Sequence, residues 1–199
     1  MLIMCERGLI QEMPDINKDK TCCFFGHRKI EETPELKTAL VDVIGDLIIN
    51  KDIDTFLFGS KSQFDDLCYD VVSELKNEHP EIKRIYVRAE NEYIDGEGSR
   101  AYREGLYELY EDTYFPEHIL GAGKASYVER NQEMINHSKF CVVYYDENYL
   151  PPRRKNGKRD LFDYQPKSGT AVAYDYARKK KKIIINLATQ TKADYLFNI

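Results

Sequence analysis

Five short, largely apolar runs separated by helical patterns constrain the fold of this chain more than any other feature. The runs lie at Thr21–Phe25, Thr55–Phe58, Ile82–Val87, Phe140–Tyr145 and Ile183–Ile185. Runs of this length are typical of strands that are buried on both faces of a parallel sheet. Because helical patterns separate them, the sequence predicts an α/β fold: a Rossmann-like three-layer α/β/α sandwich with a mainly parallel sheet of about five strands.

The helical patterns have clear starts and apolar faces. Thr33-Pro34-Glu35 is a typical start, since threonine caps the first turn, proline fits its first position and the acid faces the positive helix end. Apolar residues then recur with the helical period at Leu36, Leu40, Val43, Ile44, Leu47 and Ile48. Further helices are predicted from about Phe64 to Leu75, from Lys124 to about His137 and from Ser168 to about Lys182.

Length predicts the domain organisation. The chain has 199 residues, which on a prior of roughly 150 residues per domain fits one domain with additions. We expect residues 1–19 to form a loose N-terminal arm and residues 20–199 a single domain. An irregular Tyr-rich insert at 91–118 and a basic loop at 147–167 interrupt that domain. Long loops are typically lids, binding segments or mobile surface, and the basic charges fit either a polyphosphate partner or plain solvation.

The insert concentrates tyrosine, at Tyr93, Tyr102, Tyr107, Tyr110 and Tyr114. Tyrosine is enriched at interfaces because its ring is apolar while its hydroxyl can stay hydrogen-bonded. The insert therefore predicts a homodimer or a higher homo-oligomer. The alternative is that these side chains cover the domain's own sheet edge.

Charge and residue usage argue against several classes of protein. Lys and Arg total 29 and Asp and Glu total 34, so the net charge is −5, which disfavours nucleic acid as a partner. No apolar run approaches the roughly 18 residues of a membrane span, and the start carries Glu6 without a signal-peptide cleavage site. The five cysteines form no CxxC pair and the four histidines no HxH or HxxxH spacing, which predicts a reduced, cytoplasmic protein without a metal site.

Candidate binding residues follow the first two predicted strands. In a parallel sheet, ligands bind outside the carboxyl ends of the strands, where the sequence has Gly26-His27-Arg28 and Gly59-Ser60. The first group is either a ligand site or a turn glycine with two solvated side chains. The second precedes Asp65 and Asp66, whose charges would repel phosphate. It therefore contacts a ribose or base edge, or only caps a helix.

The last predicted helix holds the strongest phosphate candidate. Ser168-Gly169-Thr170 opens it, and no acid follows until Asp175, so the positive end of the helix dipole is unopposed. Ser and Thr are also ordinary caps, which is the alternative. The GxGxxG fingerprint is absent, so no cofactor is identified, and a nucleotide-like ligand is the expectation.

The helix predicted from Lys124 supplies a second pair of candidates. Asn131 shares an apolar face with Tyr127, Met134 and Ile135. A buried amide must be hydrogen-bonded, so its partner is either a loop backbone or a ligand. The adjacent Arg130 is expected to neutralise ligand charge.

Four motifs in this order resemble the SLOG superfamily, most closely its YpsA-like branch. They are Cys22–Arg28, Gly59 with Phe64-Asp65, Glu129-Arg130-Asn131 with Met134, and Ser168-Gly169-Thr170. The resemblance runs from about Thr21 to Leu187 and implies a bacterial-type or phage-type Rossmann-like domain that binds nucleotides or nucleotide-derived ligands. Lonely Guy phosphoribohydrolases, DprA/Smf DNA-processing proteins and sensor modules of bacterial defence systems belong to the same superfamily.

The departures from that family bear on catalysis. Lonely Guy enzymes carry a PGGxGT loop followed by two glutamates, whereas this chain retains Gly169-Thr170 and has Val172 and Ala173 at the glutamate positions. Hydrolysis of an N-glycosidic bond needs a carboxylate, so we expect binding without turnover. One alternative is a nucleotide N-glycosidase or phosphoribohydrolase with Asp65 or Asp146 as substitute carboxylate. Another is a DprA-like DNA-binding protein, which only the basic loop favours.

Overall fold

A six-stranded parallel sheet forms the centre of the molecule. The structure, a computed structural model, describes residues 13–59, 62–89, 105–106, 108–119, 121–149 and 168–189. The strands are β1 (Thr21–Gly26), β2 (Thr55–Phe58), β3 (Lys83–Val87), β4 (Asp112–Tyr114), β5 (Phe140–Tyr144) and β6 (Ile183–Asn186). Their order is β4-β3-β2-β1-β5-β6, and every neighbouring pair is parallel.

Helices cover both faces of this sheet. They are α1 (Pro34–Lys51), α2 (Gln63–Leu75), α3 (Ser126–Asn136) and α4 (Gly169–Lys179). The predicted cap of α1 is confirmed, because the Thr33 hydroxyl accepts a hydrogen bond from the Leu36 amide at 3.2 Å. Single 3-10 turns lie at Lys18–Lys20, Glu117–Ile119 and Gly123–Ala125. No helix in the described ranges combines the length and apolar character that a membrane crossing needs.

The core divides into two apolar layers on either side of the sheet. Along β1, Cys22 and Phe24 pack with α1 and α2, whereas Cys23 and Phe25 pack with α3 and α4. All four side chains are at most 2 % exposed. A strand buried on both faces is what a continuous apolar run predicts. The predicted Rossmann-like α/β/α sandwich is therefore confirmed.

The sixth strand is a difference from the predicted five. β4 lies within the 91–118 segment that the sequence indicated as irregular, and it pairs with β3. An ion pair next to it fixes this edge, since Arg84 Nη2 lies 2.7 Å from Glu111 Oε1 and the Arg84 amide lies 2.7 Å from Oε2. This contact joins residues 27 apart in sequence, so no local pattern could indicate it.

Two tyrosines of the insert pack onto the protein's own core. Tyr114 is 1 % exposed, and the Tyr110 ring lies 5.2 Å from that of Tyr86. These two therefore cover the sheet edge. Tyr93, Tyr102 and Tyr107 lie outside the described residues, and the homo-oligomer stays a prediction. Also outside are most of the N-terminal arm and of the basic loop, and Ser60.

Gly26 ends the central strand against an aromatic ring. A Cβ placed on Gly26 would lie 2.5 Å from Phe64 Cδ1, which is closer than real contacts allow. By contrast, a Cβ on Gly45 in the middle of α1 would meet nothing within 4 Å. Gly26 thus lets α2 approach β1, while Gly45 performs no comparable steric role.

We expect Gly26→Ala and Gly45→Ala to have opposite effects on stability. Gly26→Ala should lower the free energy of unfolding by about 1–3 kcal/mol through overpacking against Phe64. Gly45→Ala should raise it by about 0.5–1 kcal/mol because alanine is the better helix former. Urea unfolding of both variants measures this difference. A Gly26→Ala protein as stable as Gly45→Ala would contradict the close packing.

Candidate functional site

The chain reverses its direction across the sheet between β1 and β5. Strands β1 to β4 follow one another outward, and the chain then returns to place β5 on the other side of β1. The helices that follow β1 and β5, α1 and α4, lie on opposite faces. Such a switch point leaves a crevice outside the carboxyl ends of the two strands, where ligands of this fold class bind.

The N-terminus of α4 lies at this crevice. The Thr170 hydroxyl donates a hydrogen bond of 2.9 Å to the carbonyl of Gly26, and the Ser168 hydroxyl accepts one of 3.1 Å from the Ala171 amide. Gly169 is exposed, and a Cβ there would meet nothing within 4 Å. Neither the Gly169 nor the Thr170 amide donates to another described residue. The first turn of α4 contains no acid.

His27 is buried at the same edge with one ring nitrogen unsatisfied. It is 2 % exposed, and its Nε2 lies 2.9 Å from the Asp146 amide nitrogen and 3.1 Å from the Asp146 carbonyl oxygen. Nε2 accepts from the amide in one neutral tautomer and donates to the carbonyl in the other. Nδ1 is buried and has no hydrogen-bond partner among the described residues. Burial lowers the pKa of His27, which favours the neutral ring.

The neighbours of His27 shape the crevice. Its ring stacks on Tyr149 at 3.9 Å between centroids and lies 5.8 Å from Tyr145. Arg28 is exposed, and its carbonyl accepts from the Gln63 amide at 3.1 Å. The structure therefore places Gly26, His27 and the first turn of α4 together, with Arg28 beside them.

Gly59, Arg130 and Asn131 form a second group at the ends of β2 and β3. Arg130 is 2 % exposed and runs across Gly59, where a Cβ would lie 2.9 Å from Arg130 Cδ and 2.9 Å from the Val87 carbonyl oxygen. The Asn131 side-chain oxygen accepts from Arg130 Nη2 at 3.3 Å. Gly59 is thus a close-approach glycine, and one partner of the Asn131 amide is the guanidinium beside it.

The two carboxylates considered as catalytic groups occupy different settings. Asp65 is 3 % exposed in the first turn of α2, near the Cys68 thiol, whose pKa is raised by burial and by the Asp65 charge. Asp146 uses Oδ1 to accept from the Asn148 amide at 2.9 Å, which is an Asx turn. Of the residues at the glutamate positions, Ala173 is buried between α4 and the sheet, and Val172 is partly exposed.

Sequence reasoning missed a cleft beside the ends of β5 and β6. It has a volume of about 330 Å³ and is lined by Tyr145, Glu147, Tyr174, Asp175, Arg178 and Asn186. The Asn186 side chain joins the strand ends, since Oδ1 accepts from the Tyr145 amide at 3.0 Å and Nδ2 donates to the Tyr145 carbonyl at 2.8 Å. The one signal of this cleft in the sequence was that Asn186, a polar residue, directly follows the apolar run Ile183–Ile185.

The sequence matches no protein-family model and no curated protein. The resemblance to the SLOG superfamily therefore rests on the four motifs alone.

The lowered pKa of His27 predicts how the stability of the fold depends on pH. Because burial lowers its folded-state pKa, the unfolded chain takes up the proton first as pH falls. The stability that neutral His27 contributes is complete above about pH 6.5, which is the pKa of histidine in the unfolded chain. It is lost as pH falls through the pKa of His27 in the folded protein. His27 contributes at most about 1.4 kcal/mol per pH unit to the slope of the free energy of unfolding against pH.

Urea unfolding between pH 7.5 and about pH 5 tests this linkage. His27→Gln, whose amide oxygen can still accept from the Asp146 amide, should show a shallower loss of stability toward acid than the wild type. His79→Gln, which replaces a histidine remote from the crevice, should keep the wild-type slope. If the His27→Gln slope equals that of the wild type, His27 does not titrate as described.

Proposed function

We propose that this protein binds a small nucleotide-like ligand, with its phosphate at the backbone amides of Ser168, Gly169 and Thr170. The observation that carries the proposal is the acid-free N-terminus of α4, which is exposed at Gly169 and fixed to the end of β1 by the Thr170 hydrogen bond. Helix N-termini of this kind attract anions because unpaired amides and the helix dipole both favour negative charge.

His27 adds a second polar group to the proposed site. Its Nδ1 is buried without a hydrogen-bond partner among the described residues, and leaving a buried polar group unsatisfied costs about 1–3 kcal/mol. In the tautomer that carries the proton on Nδ1, an oxygen of the ligand would satisfy this group. Since neutral His27 supplies a hydrogen bond and no charge, the exposed guanidinium of Arg28 supplies the positive charge in this proposal.

Gly59, Arg130 and Asn131 would meet the ligand further along the same edge. The buried guanidinium of Arg130 lies in a region of low dielectric, where a charge acts more strongly than in water. Asn131 holds that guanidinium from one side. In this proposal Arg130 faces an anionic or electron-rich group of the ligand, and Gly59 allows its close approach to β2.

Binding without catalysis is the form of the proposal that the carboxylates favour. The Asx turn engages one oxygen of Asp146, and Asp65 is buried in α2. Hydrolysis would need a carboxylate facing the anomeric carbon.

A charge introduced at Gly169 tests the phosphate site directly. We expect Gly169→Asp to weaken binding of AMP, GMP or ribose 5-phosphate by roughly tenfold to a hundredfold, because the carboxylate repels the phosphate. The same variant should not lose stability, since an acid in the first turn of a helix contributes about 0.3–1 kcal/mol. Calorimetric titration and urea unfolding measure the two effects separately.

Gly169→Asn is the matched control because it has the same shape without the charge. It should bind these ligands within about threefold of the wild type. Equal affinities of the Asp and Asn variants, or a wild type that binds none of the phosphate-bearing probes, would overturn the proposed site.

A further inference from the structure

The cleft beside β5 and β6 offers an aromatic surface. The rings of Tyr145 and Tyr174 are stacked, with centroids 4.6 Å apart and planes 29° apart. The backbone of Tyr145 is held in place, because Asn186 bonds both its amide and its carbonyl. Asn186 Oδ1 also accepts from the Ala188 amide and Nδ2 also donates to the Thr189 hydroxyl. Asn186 therefore shapes the cleft and has little capacity left for a ligand.

Two carboxylates and one guanidinium line the same cleft. Glu147 and Arg178 are both exposed, and neither forms an ion pair with another described residue. Asp175, the second carboxylate, has an interaction of its own. The cleft thus presents the Glu147 carboxylate, which accepts, the Arg178 guanidinium, which donates, and an aromatic face between strand and helix.

We infer that this cleft binds a guanine base. Guanine presents the O6 and N7 acceptors that a guanidinium contacts in a bidentate manner. Its N1–H and 2-amino groups form a pair of parallel donors that suits the two oxygens of a carboxylate. Adenine has neither O6 nor this donor pair, and hypoxanthine lacks the 2-amino group. Stacking on a tyrosine face adds affinity for any base.

The position of the cleft connects it to the proposed phosphate site, on which this inference rests for a nucleotide ligand. Ser168 and Tyr174 are six residues apart on α4, which corresponds to about 9 Å along the helix axis. A ribose separates phosphate and base by a gap of this order. The Tyr145 ring also lies 5.8 Å from that of His27, so Tyr145 borders both the cleft and the crevice.

A panel of five ligands tests the inference by calorimetric titration of the full chain. GMP should bind about tenfold more tightly than AMP and than ribose 5-phosphate, with IMP in between and guanosine binding measurably. Glu147→Gln and Arg178→Gln should each reduce the preference for GMP over AMP to about twofold or less. Glu78→Gln, which changes an exposed acid beyond the far end of α2, should keep the full preference.

The outcomes separate the two sites. If GMP and ribose 5-phosphate bind equally, the guanine cleft is overturned while the phosphate site stands. If guanosine binds and ribose 5-phosphate does not, the guanine cleft stands and the phosphate site fails. A wild type that prefers AMP, or that binds neither guanosine nor GMP, overturns the guanine cleft whatever the variants do.

Discussion

The hydrogen bond from the Thr170 hydroxyl to the Gly26 carbonyl is the contact on which the proposed site depends. It joins residues 144 apart in sequence and sets the start of α4 against the end of the central strand. Both groups are buried, where an unmade hydrogen bond costs about 1–3 kcal/mol. Without it the positive end of the α4 dipole would not be fixed at the crevice between β1 and β5.

The crevice gathers donors while keeping charge out of its buried part. His27 is held neutral by burial, and the amides of α4 carry only the partial charge of the helix dipole. The buried guanidinium of Arg130 lies elsewhere, against Gly59 and Asn131. An anion at α4 would thus meet preoriented dipoles, which hold it without the cost of desolvating a second full charge.

Local patterns were sufficient for most of the fold and for the start of the helix at the candidate site. β2 matches its apolar run, and Thr33 and Ser168 cap the helices they precede, because strands and caps depend on neighbouring residues. β4 pairs with β3, and the adjoining Arg84–Glu111 pair joins residues 27 apart in sequence. The Tyr145 cleft is shaped by Asn186, 41 residues away. The close contact between Gly26 and the Phe64 ring also arises only once α2 packs on β1.

The most direct measurement is an NMR titration of isotopically labelled protein with inorganic phosphate. We expect saturable shifts of the Gly169 and Thr170 amides, which donate to no other described residue. We also expect a shift of the His27 ring resonances, because the buried Nδ1 has no hydrogen-bond partner in the described part of the chain. Saturable shifts centred on Gly59 and Arg130, with α4 unchanged, would contradict the assignment of the phosphate to the start of that helix.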